Sequence, residues 1–121
     1  MKIKKIDGEF AVCKVKDFSG VDPSRPFTFC AATDEELSLV CPLNDVPENA
    51  YAADSPWRAV RIQGVLDFSL IGILSEISGI LAENKIGLFA VSTYNTDYIL
   101  VKSENYDKAL SALSEKGHEI V

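Results

Sequence analysis

Residues able to do metal or nucleophilic chemistry are scarce in this sequence. It holds one histidine, His118, and three cysteines, Cys13, Cys30 and Cys41, among 121 residues. An odd number of widely spaced cysteines argues against a disulfide framework. One distant histidine adds no recognisable metal-ligand spacing. Neither a phosphate-cradling Walker loop nor a dinucleotide fingerprint is present. No metal and no cofactor are therefore expected. Long apolar runs are also missing: none approaches the ~20 residues needed to span a bilayer. The basic start, Met1-Lys2-Ile3-Lys4-Lys5, meets Asp7-Gly8-Glu9 where a signal peptide needs an apolar stretch. The expectation is a cytoplasmic protein with no membrane partner. Basic residues are outnumbered, 12 against 18 acidic, for a net charge of −6 and a pI near 4.7. Such a surface repels phosphate backbones, so no nucleic-acid partner is expected.

What is present is patterned apolar sequence, 47% of the chain, with 25% charged residues, as in a soluble globular protein. The clearest pattern occupies the last 65 residues. Residues 57–62 read as a strand that runs into a turn at Gly64. Leu70, Ile73, Leu74, Ile77, Ile80 and Leu81 then fall on one stripe at helical spacing, predicting a helix over 70–84. Ser69 is placed to cap its start and Gly87 to end it in a left-handed turn. Residues 88–101 read as a hairpin. Tyr106, Ala109, Leu110 and Leu113 mark a second helix over 106–115, stopped by Gly117, and residues 118–121 form a last strand. The order is βαββαβ. All three cysteines lie in apolar, strand-like surroundings and are expected to be buried, reduced and unreactive.

Residues 42–56, with Pro42, Pro47 and Pro56, read as the joint between two halves. The halves look related. Phe29-Cys30-Ala31-Ala32-Thr33 aligns with Phe89-Ala90-Val91-Ser92-Thr93 at an offset of 60, and Ala11-Val12 with Ala59-Val60 at an offset of 48. The difference of twelve residues is about three helical turns. The N-terminal half therefore reads as a degenerate copy in which the loop 17–26 replaces the first helix.

Two segments carry a family likeness. They are Gly64-Val65-Leu66-Asp67-Phe68-Ser69-Leu70-Ile71-Gly72 and the hairpin Ser92-Thr93-Tyr94-Asn95-Thr96-Asp97-Tyr98-Ile99-Leu100-Val101. On these, residues 57–121 resemble an ACT domain, a small ligand-binding module of regulated enzymes in amino-acid metabolism. The whole chain is similar to stand-alone tandem-ACT proteins of the type related to cytosolic arginine sensors. The resemblance implies an α+β, ferredoxin-like fold in tandem, residues 1–56 being the degenerate half and 57–121 the complete domain. It also implies a ligand site at Gly64, Asp67, Phe68, Ser69, Leu70, Ile71, Gly72, Thr96 and Asp97, against the neighbouring half. Two positions depart from the family pattern. Ile71 stands where a proline is usual. Leu70 stands where arginine-binding relatives carry an acidic residue, which implies a ligand other than arginine.

Read as chemistry, Gly64 lets the backbone bend, and Gly72 leaves room for a ligand near a helix start. The helix N-terminus attracts a carboxylate. Asp67 either accepts from an ammonium group or favours the helix N-terminus electrostatically, and the sequence leaves both open. Asp97 either caps a turn or faces the ligand. Its place just before the apolar run 98–101 favours the ligand. Catalysis is not expected, since His118 has no evident orienting partner for a cysteine nucleophile. The expected function is non-catalytic binding and sensing of a small molecule, an amino acid by preference, with a homodimer as an open partner. The alternative is a protein-interaction or dimerisation module without a ligand.

Overall fold

The computed structural model describes residues 1–63 and 72–121. They form two compact units: Met1–Asp7 together with Arg58–Val121, and Gly8–Trp57.

The first unit is a mixed sheet with two helices. Its strands are β1 (Lys2–Lys5), the end of β5 (Ala50–Ile62), β6 (Phe89–Ser92), β7 (Asp97–Lys102) and β8 (Glu119–Ile120). β6 pairs with β7, β7 with β5, β5 with β1 and β1 with β8. β1 runs antiparallel to β5 with Ile3 opposite Ile62, and parallel to β8 with Ile3 beside Ile120. Ile3 is buried while its lysine neighbours are exposed, the period of two that sets strand register. β1 corrects the sequence reading, in which the N-terminal residues figure as no element. Three lysines around a single isoleucine make too short an alternation to stand out.

Helix α1 (Ile73–Glu83) and helix α2 (Tyr106–Glu115) pack on each other. α1 buries Ile77, Ile80 and Leu81, and α2 buries Tyr106, Ala109, Ala112 and Leu113. With Val60, Ile62, Ile99 and Val101 from the strands these close one apolar core. Ala112 belongs to it, whereas Leu110 is only partly buried. Gly72 occupies the N-cap position of α1. Leu70 and the cap expected at Ser69 lie outside the described residues. The end of α1 corrects the reading at Gly87. Lys85 takes the left-handed conformation, φ 60°, its N–H donating to the Ala82 carbonyl and the Ile86 N–H to that of Leu81. This is a Schellman cap closed by the buried Ile86. α2 ends in the same motif at Gly117, where His118 N–H donates to the Leu113 carbonyl.

The second unit is an antiparallel sheet ordered β3 (Phe29–Ala32), β4 (Leu37–Pro42), β2 (Phe10–Val15) and the first part of β5. Residues 16–28 join β2 to β3 with no helix in them. One face buries Ala11, Cys13, Val15, Leu39 and Cys41 under Phe18, Val21 and Val46. β5 corrects the reading of 42–56 as a joint, because residues 50–56 are strand. The prolines mislead because Pro56 sits at an irregularity. The β2–β5 register shifts between Phe10 opposite Trp57 and Val12 opposite Asp54. A bulge tolerates a residue without an N–H.

Within each unit lies a hairpin, and the two match. Phe29 pairs with Val40 and Ala32 with Leu37; Phe89 pairs with Leu100 and Ser92 with Asp97. Thr33 N–H donates to the Glu36 carbonyl at 2.9 Å, and Thr93 N–H to the Thr96 carbonyl at 2.8 Å. Each hairpin then enters a short 3₁₀ turn, Leu43–Asp45 and Ser103–Asn105.

Candidate functional site

Of the residues named from the sequence, Gly64, Asp67, Phe68, Ser69, Leu70 and Ile71 lie outside the described residues. The structure places Gly72, Thr96 and Asp97.

Gly72 has φ +84°, and a Cβ added there would meet no atom of the described residues within 4 Å. That left-handed backbone conformation by itself favours glycine. Its carbonyl accepts the Glu76 N–H at 2.8 Å, the first bond of α1.

Thr96 is buried, and its hydroxyl donates to the Ile62 carbonyl at 2.6 Å. That bond fastens the hairpin turn to the end of β5, two residues before Gly64. Branching at Cβ restricts the rotation of this side chain, which stiffens the anchor. The structure thus brings together the hairpin turn and the strand end that leads into the glycine loop. No hydrogen bond among the described residues joins Gly72 to Thr96 or Asp97.

Asp97 opens β7 opposite Ser92, whose hydroxyl donates to Asp97 Oδ1 at 2.5 Å. Oδ2 receives no hydrogen bond from the described residues. The carboxylate therefore does not cap the turn. Thr93 does that, its hydroxyl donating to the Thr96 carbonyl at 3.0 Å and accepting the Thr96 N–H at 3.4 Å. The matching hairpin closes through Thr33 in the same manner. There the positions of Ser92 and Asp97 are taken by Ala32 and Leu37. A turn of this geometry needs neither the serine nor the aspartate.

Arg61 was missed by sequence reasoning. It lies on β5, next to the loop, and alternation puts it on the opposite sheet face from the core residues Val60 and Ile62. Its Nη1 donates to the Tyr98 hydroxyl at 3.2 Å, and Nε and Nη2 reach Gln63 Oε1 at 3.4 Å. The guanidinium also lies 5.7 Å from the Tyr98 ring centroid. The only available signal was a charge alternating with apolar residues along a strand, which is usually a solvated face.

The scarce chemical groups are occupied elsewhere. His118 is buried and meets Glu76 Oε1 through Nε2 at 3.1 Å, joining the end of α2 to α1. Its Nδ1 has no hydrogen-bond partner among the described residues. Cys13 and Cys41 are buried, and burial pushes both thiols up, Cys41 to about 12. Cys30, by contrast, is exposed, which corrects the expectation that all three are buried. It sits on β3, which pairs only with β4. A short edge strand shows one face to solvent whatever its composition. Among the described residues no three His, Cys, Asp or Glu side chains group to hold a metal. None of the described helices is long and apolar enough to cross a membrane.

The ACT domain family model matches residues 52–115. The cytosolic arginine sensor for mTORC1 subunit 1 of Homo sapiens is 36% identical over 61 residues, 50% of this chain but 18% of that protein. The chain thus spans a small part of that relative's length. The solved structure of protein Atu0741 from Agrobacterium tumefaciens matches with a TM-score of 0.87 at 30% identity, over 99% of this chain and 91% of that one. Aspartokinase alpha and beta subunits match with a TM-score of 0.66 at 16% identity, over 95% of this chain and 96% of that one, a likeness of fold.

Proposed function

The chain belongs to the ACT domain family, and from that premise we propose that it is a non-catalytic sensor whose Asp97 carboxylate anchors the ammonium group of a bound amino acid. The observation carrying this is the state of Asp97. Its side chain is steadied by Ser92 through one oxygen, leaves the other without a partner among the described residues, and is not needed for the turn. A carboxylate held ready in this way suits an ammonium donor. The start of α1 at Gly72 supplies the complementary feature, N–H groups suited to a carboxylate. In this reading Gly64, Asp67, Phe68, Ser69, Leu70, Ile71 and Gly72 line the ligand, Asp67 being a second acceptor. Thr96 acts differently, positioning the turn through Ile62.

Further parts of the reading have support as well. The matched hairpins, in register at an offset of 60, favour two ACT-like halves in tandem. The helix-free segment 16–28 favours an N-terminal half that has lost its first helix. The likeness to an arginine sensor favours an amino-acid ligand and a cytoplasmic setting. Leu70, apolar where arginine-binding relatives carry an acid, favours a ligand other than arginine.

The test is a thermal-shift screen against the common amino acids, followed by calorimetry with the responding one. A ligand at about 100 times its Kd adds about 2.7 kcal/mol of stability. Asp97→Ala should then weaken binding by roughly 1.5–3 kcal/mol, the range for a hydrogen bond to a charged group. Unchanged affinity in both Asp67→Ala and Asp97→Ala would place the ligand elsewhere. No response to any amino acid would favour a module for protein interaction or dimerisation.

A further inference from the structure

The second unit contains a cavity of about 270 Å³ that the Asp97 reading does not use. Its floor is Leu39 and Cys41, both 1% exposed, and Val21 packs beside them. Its rim is charged, formed by Asp22, Arg25 and Asp45, with Thr28 between. The cavity lies where residues 17–28 cover the sheet as a loop. A helix would fill such a face with a continuous apolar stripe; a loop leaves space.

That loop is fastened in place. Asn49 Nδ2 donates to the Asp17 carbonyl and to Asp17 Oδ1, at 3.1 and 3.0 Å. Gly20 packs so close to Pro47 that an added Cβ would lie 2.9 Å from the proline Cβ. Phe27 adopts φ 61°, costly for a residue with a side chain, and sets its ring edge-on to Phe10 at 6.2 Å. These contacts hold the polypeptide on both sides of Asp22 and Arg25.

The rim groups are arranged by sign. Arg25 Nε donates to Asp45 Oδ2 at 3.1 Å, and its two Nη groups are not engaged by the described residues. Asp22 Oδ1 accepts from the Ser24 hydroxyl and backbone N–H. Those bonds hold its carboxyl below the ordinary range, so it stays charged at neutral pH. A fork of free N–H groups, a separate carboxylate and an apolar floor are the complements of a carboxylate, an ammonium and an aliphatic side chain.

We propose that this cavity is a second small-molecule site, taking a free α-amino acid with an uncharged aliphatic side chain. The ligand carboxylate pairs with the Arg25 Nη groups, its ammonium with Asp22, and its side chain rests on Leu39 and Cys41. The proposal does not depend on the Asp97 site.

The test is a titration of the ¹⁵N-labelled full chain with L-leucine, L-valine and L-methionine. 4-Methylpentanoate, lacking the ammonium, and isoamylamine, lacking the carboxylate, are the controls. Saturable shifts are expected at the amides of Val21, Thr28, Leu39 and Cys41 with at least one amino acid. Arg25→Ala and Asp22→Asn should each weaken that binding roughly tenfold or more, and Asp97→Ala should leave it unchanged. Asp22→Asn keeps the oxygen that accepts from Ser24, so it carries the test even if Arg25→Ala fails to fold. Three results overturn the proposal: no saturable shift at these amides, equal affinity in Asp22→Asn, or equally tight binding of either control. Shifts confined to the 92–98 hairpin would also overturn it while leaving the Asp97 reading intact.

Discussion

Tyr106 shows how much one side chain does here. It opens α2, lies in the core, and its hydroxyl donates to the Ala59 carbonyl at 3.0 Å. The Arg58 guanidinium lies over its ring, 4.0 Å from the centroid. Burial pushes the phenol up, so it remains a donor at neutral pH. The Ala59 carbonyl also accepts the Ile6 N–H at 3.1 Å, tying β5 to the chain that follows β1. Tyr106→Phe therefore leaves that carbonyl with one partner and keeps the stacked guanidinium. Its cost should be that of a single hydrogen bond, about 0.5–1.5 kcal/mol in a denaturant titration. A loss near 3 kcal/mol would mean the ring itself had moved. Periodicity alone assigned Tyr106 to the buried stripe; the hydroxyl's partner, 47 residues away, was beyond it.

Helix α1 carries avoidable costs of its own. Gly79 is exposed in its middle, and an added Cβ would meet no atom of the described residues within 4 Å. Gly79→Ala should therefore stabilise the protein by about 0.5–1 kcal/mol, the propensity difference between the two residues. A thermal melt with no rise in Tm would show that the α1 backbone departs from helix at that point. The same helix marks where the sequence could be read. Its interior was legible because Ile73, Ile77, Ile80 and Leu81 repeat with the helical period and meet one core. Its ends were not. Which residue goes left-handed depends on whether Ile86 can reach the core, so Lys85 takes a conformation that composition would give to Gly87. Strand β1 was hidden for a related reason, since its partners are β5, in the middle of the sequence, and β8, at its far end. At the candidate site, Asp97 was legible from the hairpin motif. Its partner Ser92 follows only from register, and Arg61 had no pattern to announce it.

For the whole molecule, the absence of a disulfide and the excess of acid lead to one measurable behaviour in alkali. Cys13 and Cys41 are diagonal neighbours on β2 and β4 within the second unit's core, Cys13 standing opposite Leu39 and Cys41 opposite Ala11. Burial, above all, pushes the Cys41 thiol up to about 12, with Cys13 and Asp45 adding to it. Burial also raises Cys13, while its hydrogen bond with Cys41 partly lowers it. In the unfolded chain a thiol ionises near pH 8.5. Below that pH both states hold the proton and stability is unaffected. Above it the unfolded state loses the proton while the folded state keeps it, so stability falls as pH rises, by up to about 1.4 kcal/mol per pH unit for each thiol. The fall should continue until the folded thiol itself ionises, near pH 12 for Cys41. Self-repulsion of a chain already at −6 acts in the same direction, as does the raised Tyr106 phenol at higher pH. The thiol share is isolated by slope. Urea titrations between pH 8 and 10 should show the steeper fall in the native protein, and Cys13→Ala with Cys41→Ala should flatten it even if the double variant is less stable throughout. Cys30, exposed on β3, should not matter to the slope, and it should react with a thiol reagent in the folded protein while Cys13 and Cys41 do not. Equal slopes in the two proteins would mean that the buried thiols ionise in the fold as they do in the unfolded chain.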